Sequence, residues 1–138
     1  MIGECNLEKK ENYDRQYLDM MNQWMILRYE GKCISDYLAA QGIGSIVIYG
    51  MNVYARHMIR ELLNTNIKVI CVLDINPGGD YEGVKIISPF ECSSLGNCDL
   101  IINAVLSQKE VVKSTVKDLF SVNVIDMDDL VFDAYYVV

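Results

Sequence analysis

The stretch Ile46-Val47-Ile48-Tyr49-Gly50-Met51-Asn52-Val53-Tyr54-Ala55-Arg56-His57, completed by Val69-Ile70-Cys71-Val72-Leu73-Asp74, decides the fold. An apolar β-branched run stops at a glycine, a helical pattern follows, and a second apolar run stops at an aspartate. That is the outline of a β-α-β unit of the mononucleotide-holding kind.

Upstream of this unit, residues 1–12 are polar and mixed in charge, and are expected to be a flexible N-terminus. From Tyr13 the spacing turns helical. Tyr13, Tyr17, Met20, Trp24 and Leu27 recur at three- and four-residue steps, widened by Met21 and Met25. This amphipathic stripe has two readings. One is core contact with the domain that follows; the other is a partner or dimer surface, since soft Met and flat aromatics suit interfaces. Gly31 is the predicted stop, and a short helix over Ile34–Gln41 completes an N-terminal helical segment at 13–42, ahead of a domain at 43–138.

Downstream, the first strand is predicted over Ile46–Tyr49. Its helix spans Asn52–Leu63, with Val53, Met58, Ile59 and Leu62 toward the sheet, and the second strand spans Lys68–Leu73. Asn76-Pro77-Gly78-Gly79-Asp80 reads as a loop and Val84–Ile87 as a third strand. Ser88-Pro89-Phe90-Glu91 has the form of a capping box that opens a short helix. The fourth strand is Leu100–Val105. Ser107-Gln108-Lys109-Glu110 is a second capping box, whose helix is expected to bury Val111, Val112, Thr115, Val116 and Leu119. Val122–Ile125 is the fifth strand, and a terminal turn or helix starts at Asp126. The apolar end from Ala134 to Val138 is expected to dock onto the sheet or to meet another chain. Strands alternating with helices, and showing little period-two alternation, predict a parallel α/β sheet with helices on both faces. Right-handed crossovers then give five strands in the order 3-2-1-4-5.

Composition bounds the rest. A chain of 138 residues with 51% hydrophobic and 22% charged residues has the profile of one globular domain. The net charge of -7 argues against nucleic acid and anionic membrane surfaces as partners. Five cysteines without a C-x-x-C pair, and a single histidine, do not supply a zinc site, and no metal is expected. The thiols read as reduced in a cytoplasmic protein. No basic-then-apolar segment opens the chain as a signal peptide would, and no apolar run approaches the roughly 20 residues of a membrane span.

In such a sheet a ligand sits outside the carboxyl ends of the strands where their order reverses, here between strands one and four. The bordering loops are Gly50-Met51-Asn52-Val53-Tyr54-Ala55 and Asn103-Ala104-Val105-Leu106-Ser107. The candidate cofactor-binding residues are therefore Gly50, Met51, Asn52, Asp74, Asn103 and Ala104. Measured against the G-x-G-x-x-G/A fingerprint, Gly50 supplies the tight turn and Ala55 the small third position, but Asn52 stands where a glycine lets the backbone approach a pyrophosphate. Asn52 occupies ligand space there and is also a good helix cap. Asp74, about two dozen residues after Gly50, is placed to hold a ribose, with NAD preferred over NADP, or to begin an Asx turn toward Asn76. Arg56 could meet a phosphate or simply be an exposed helix residue. His57 has no sequence-level acid–base partner. Tyr81-Glu82-Gly83-Val84-Lys85 spells Y-x-x-x-K, but that pair works on a helix. Here a Gly-rich loop precedes it and a strand follows, which separates the two side chains by roughly 13 Å. No P-loop or G-x-S-x-G elbow exists, the acids Asp126, Asp128 and Asp129 lack calcium-loop spacing, and no catalytic residue is assigned.

From about Trp24 to Leu130 the chain resembles the small Rossmann-like modules found beside or fused to bacterial glycosyltransferases and polysaccharide-biosynthesis proteins. It is also similar to the nucleotide-binding part of membrane-linked sugar epimerases and dehydratases. The carriers are Gly31-Lys32 with Ile34 and Tyr37-Leu38, Ile48-Tyr49-Gly50, Leu73-Asp74, Gly83-Val84 through Ser88-Pro89, and Asp99-Leu100-Ile101-Ile102. The family usually has glycine where this chain has Asn52. The resemblance implies a Rossmann-like fold, NAD(P) or a nucleotide sugar as ligand, and a glycosyltransferase or polysaccharide-biosynthesis partner. It transfers no catalytic residue. Three functions are thus expected as alternatives: a non-catalytic nucleotide-binding module in surface-polysaccharide metabolism, a nucleotide-sugar oxidoreductase or epimerase completed by oligomerisation, or a ligand-free scaffold that has kept the fold. A homodimer is expected from the N-terminal helix and the apolar end.

Overall fold

The structure is a computed structural model describing residues 2–136, with side chains described from Leu7 to Tyr136. In chain order its elements are α1 (Ile2–Tyr29), α2 (Ile34–Ala40), β1 (Ser45–Tyr49), α3 (Val53–Leu62), β2 (Lys68–Leu73), β3 (Asp80–Tyr81), β4 (Val84–Ile87), β5 (Leu100–Asn103), a 3-10 turn (Leu106–Gln108), α4 (Lys109–Leu119), β6 (Val124–Asp126) and α5 (Met127–Tyr136).

The N-terminal helix is longer than its stripe predicts: residues 2–12, expected to be flexible, are helical. Met20, Trp24 and Leu27 are buried, so the stripe does form core, while Met25 is half-exposed. Gly31 ends the helix with φ +75°. Its N–H donates to Arg28 O and that of Lys32 to Leu27 O, both at 3.0 Å, the paired closure that a left-handed C′ residue permits.

The sheet is mixed and has six strands in the order β3-β4-β2-β1-β5-β6. β1 lies between β2 and β5, parallel to both. β4 and β6 extend the sheet outward, again parallel. This corrects the expected five-stranded, all-parallel sheet: β3 adds an antiparallel edge, pairing Asp80 with Lys85 and Tyr81 with Val84. Glu82 and Gly83 between them both have positive φ, 50° and 79°, which is the turn that matches the twist of a two-residue hairpin. Glutamate is an uncommon first residue for that turn, so the sequence hid it. Arg60 fastens the hairpin to α3: its Nε–H donates to Tyr81 Oη at 2.6 Å, and its guanidinium lies 3.4 Å from Glu82 Oε1.

Three local expectations fail for identifiable reasons. Ser88-Pro89-Phe90-Glu91 makes only a turn, in which Ser88 Oγ accepts from the Phe90 N–H and Ser88 O from the Glu91 N–H. Cys92-Ser93-Ser94, which would continue the helix, are weak helix formers that compete for backbone bonds. Ser107 does not cap α4; it lies in the 3-10 turn, and α4 starts at Lys109 without a side-chain cap. Val53, Val111 and Leu119 are exposed rather than sheet-facing, because α3 and α4 bury narrower stripes, Ala55-Met58-Ile59-Leu62 and Val112-Val116.

Alternation along β1 divides the core in two. Ile46 and Ile48 face α1, α2, α3 and α5, and Val47 and Tyr49 face α4 and Leu95. Helices therefore cover both faces unequally. α5 lies along α1, and the apolar end is buried at Ala134 but exposed at Tyr136; Val137 and Val138 lie outside the described residues. Among the described residues no helix is long and apolar enough to cross a membrane.

Cys33, Cys71, Cys92 and Cys98 are free thiols. Burial, helped by neighbouring Cys92 and Cys98, pushes the Cys71 thiol up to about 11. Because the thiolate is the nucleophile, the buried Cys71 is expected to react with iodoacetamide at pH 8 more slowly than the part-exposed Cys33 and Cys92. A mass-spectrometric time course checks this. Equal rates would show that the α4 layer opens readily.

Candidate functional site

The crevice between the ends of β1 and β5 is bordered by the predicted residues, which hydrogen-bond to one another across it. Gly50 leaves β1 with φ +95°, and a Cβ on it would stand 2.3 Å from Val105 Cγ2. The two loops therefore touch where a ligand would separate them. The Gly50 N–H donates to Leu73 O at 2.7 Å, which ties the turn to the neighbouring strand.

Asp74 has both oxygens engaged by backbone. Oδ2 accepts from the Met51 N–H at 2.6 Å and Oδ1 from the Asn76 N–H at 2.8 Å. The second bond is the Asx turn, one of the two readings open from sequence. The first joins the β1 loop to the β2 loop. A carboxylate bonded in this way is a bracket, and its ribose-facing capacity is reduced accordingly.

Asn52 caps α3. Its Oδ1 accepts from the N–H groups of Tyr54 and Ala55 at 3.0 and 2.9 Å. These are two of the free donors that make a helix start an anion site. Its Nδ2 donates across the crevice to Ala104 O at 2.9 Å. The same carbonyl accepts from Tyr17 Oη at 2.8 Å, and Tyr17 Oη accepts in turn from the Leu106 N–H at 2.9 Å. The Tyr17 ring stacks on Tyr54, with centroids 4.0 Å apart and planes 6° from parallel. Burial raises the Tyr17 pKa, which keeps the phenol protonated as a donor. Helix α1 thus reaches the rim of the crevice through Tyr17.

Asn103 sits deeper, fully buried at the end of β5. Its Oδ1 accepts from the Val105 N–H at 2.9 Å, and its Nδ2 donates to Asp126 Oδ1 at 2.9 Å. Asp126 is 3% exposed and has Lys113 at 3.5 Å. The structure therefore brings Gly50, Met51, Asn52, Asp74 and Ala104 together around one crevice, with Asn103 beneath it.

The other residues weighed from sequence have structural neighbours. Arg56 lies over the Tyr81 ring at 5.6 Å, and His57 meets Trp24 edge-on at 6.4 Å. Asp126, Asp128 and Asp129 present oxygens within 4.8 Å of one another, but Lys109 holds Asp128 at 2.9 Å and Lys113 approaches Asp126. Cations of the chain itself thus meet this charge. Sequence reasoning placed Tyr54 in a loop bordering the crevice but missed Tyr17, which stacks on it. Tyr17 lay on the helical stripe, yet nothing local shows that a residue 87 positions before Ala104 will bond to it.

Comparison with known proteins gives no relative: no protein-family model, curated protein or solved structure matches this chain.

Proposed function

We propose that the chain is a non-catalytic, Rossmann-like scaffold whose nucleotide crevice is closed by its own side chains and which works through its surface. The observation that carries this reading is Asn52. Its amide caps the α3 N–H groups and bridges to Ala104 O, so it occupies the position in which a pyrophosphate would take the same donors. Tyr17 and the Gly50–Val105 approach support it from two further elements. The resemblance to modules that accompany bacterial glycosyltransferases supplies the context: a cytoplasmic surface-polysaccharide assembly, with a biosynthetic enzyme as partner.

A thermal-shift panel of NAD, NADP, UDP- and CDP-sugars and coenzyme A at about 1 mM tests the reading. A ligand with a Kd near 10 μM would add about 2.7 kcal/mol at that concentration and move the midpoint by several degrees. The expected result is a shift below about 1 °C for every ligand, because closing the crevice removes the binding free energy that shift reports. A saturable shift of several degrees would restore the nucleotide-binding reading and identify the ligand.

A further inference from the structure

Helix α1 leaves bare a second face, on which four apolar residues are interleaved with the exposed Glu11, Asp14 and Asn22. Leu7, Leu18 and Tyr29 recur at eleven-residue steps, and Met25 joins them. At 100° per residue all four fall within about 40° of one another on a straight helix. They are 60, 59, 77 and 49% exposed in the order Leu7, Leu18, Tyr29, Met25. Met20, Trp24 and Leu27, which are buried, lie on the other side. Residues Leu7 to Asn12 are all exposed, and a helical stretch that packs on nothing is marginal in water. Beside the C-terminal half of the line runs a groove of about 340 Å³ between α1 and α3, bordered by Met21, Met25, Arg28, His57 and Arg60.

We propose that α1 pairs antiparallel with α1 of a second copy of this chain, along Leu7, Leu18, Met25 and Tyr29. The inference deepens the scaffold reading, since it names the surface through which the module assembles. A two-fold axis at Leu18 sets that residue against itself and Leu7 against Tyr29 of the second copy. Met25 then covers the methylene stem of Glu11. Arg15 and Asp19 lie on one flank of the line, so the axis brings each Arg15 beside Asp19 of the other copy, and the ion pair forms twice. On the opposite flank Lys10 approaches Arg28, whose charge Glu61 already meets at 3.0 Å. The N-terminal half brings Glu11 and Asp14 alongside the Met21 and Met25 end of the groove, and the two helix dipoles oppose. This direction also gives the unsupported turns of each copy a folded neighbour. A parallel pair would leave them stacked only on each other.

Sedimentation equilibrium of the full chain between about 1 and 100 μM tests the pairing. Wild type is expected at twice the mass of one chain. Leu18→Glu is expected to weaken dimerisation at least a hundredfold while leaving the unfolding midpoint of the monomer unchanged, because Leu18 lies outside the core. Arg15→Asp is expected to weaken it about tenfold, and adding Asp19→Arg to restore it. A monomeric wild type at 100 μM, or a Leu18→Glu protein as dimeric as wild type, would overturn the proposal. Failure of the double exchange to restore dimerisation would overturn the antiparallel register. Because this readout is mass, a nucleotide-binding result in the thermal-shift panel leaves it intact, and the two readings fail separately.

Discussion

Replacing Gly50 by valine is expected to destabilise the protein by about 4 kcal/mol, the largest effect of any single change in the crevice. Two costs add. A β-branched residue held at φ +95° is strained by about 1–2 kcal/mol. The new Cβ would also meet Val105 Cγ2 at 2.3 Å, and overpacking of that kind costs about 1–3 kcal/mol. Val105 has little freedom to retreat, since its N–H is held by Asn103 Oδ1 and its carbonyl accepts from the Gln108 N–H. Gly79→Ala is the control. That residue also has positive φ, 72°, but a Cβ there meets nothing within 4 Å, so it should cost only about 1 kcal/mol. Urea unfolding of both variants measures the difference. Equal losses would mean that the loops after β1 and β5 are free to part, and the closed-crevice reading would lose its steric support.

The contrast between these two glycines marks what can be read from sequence here. The run from Ile46 to Asp74 announced a strand, a turn at a glycine, a helix and a second strand, because each element has its own local signal: β-branched residues, a permissive turn residue, helical spacing. Asn52 as a cap and Asp74 as an Asx-turn residue were equally legible, since both bond within three residues of themselves. What decides the crevice is non-local. Met51 reaches Asp74 across 23 residues, Asn52 reaches Ala104 across 52, and Tyr17 reaches Leu106 across 89. No periodicity encodes such pairs. The same limit explains the hairpin at β3, whose two residues give no pattern to count, and the Ser88 turn. A capping box states only how a helix can start; the next residues decide whether it continues.

Asn103 extends this point to the floor of the crevice, where a residue named as a ligand contact also bonds β5 to β6. Asn103→Ala is expected to cost about 3 kcal/mol. The change leaves the Val105 N–H without its 2.9 Å acceptor and removes the amide that donates to Asp126 at 2.9 Å. An orphaned buried polar group costs about 1–3 kcal/mol, and more when it is charged. Asp126 is 3% exposed, and its other partner, Lys113 at 3.5 Å, is 47% exposed, so the lysine compensates only in part. Asp126→Ala made together with Asn103→Ala should therefore recover about 1–2 kcal/mol relative to the sum of the single losses, the sign of a shared network. Asn103→Asp is expected to be worse than alanine at neutral pH. It would place two carboxylates in hydrogen-bond contact, so one must keep its proton in the folded state and its pKa there rises above the unfolded value. For a group raised on folding, stability is present at low pH and lost as pH rises, so the deficit of this variant should grow from acid toward neutral pH while that of Asn103→Ala does not. Urea midpoints of Asn103→Ala, Asp126→Ala, the double variant and Asn103→Asp at two pH values check all of this. A cost below about 1 kcal/mol for Asn103→Ala would show that β5 and β6 hold their register without the amide, and Asn103 would then be free to serve a ligand.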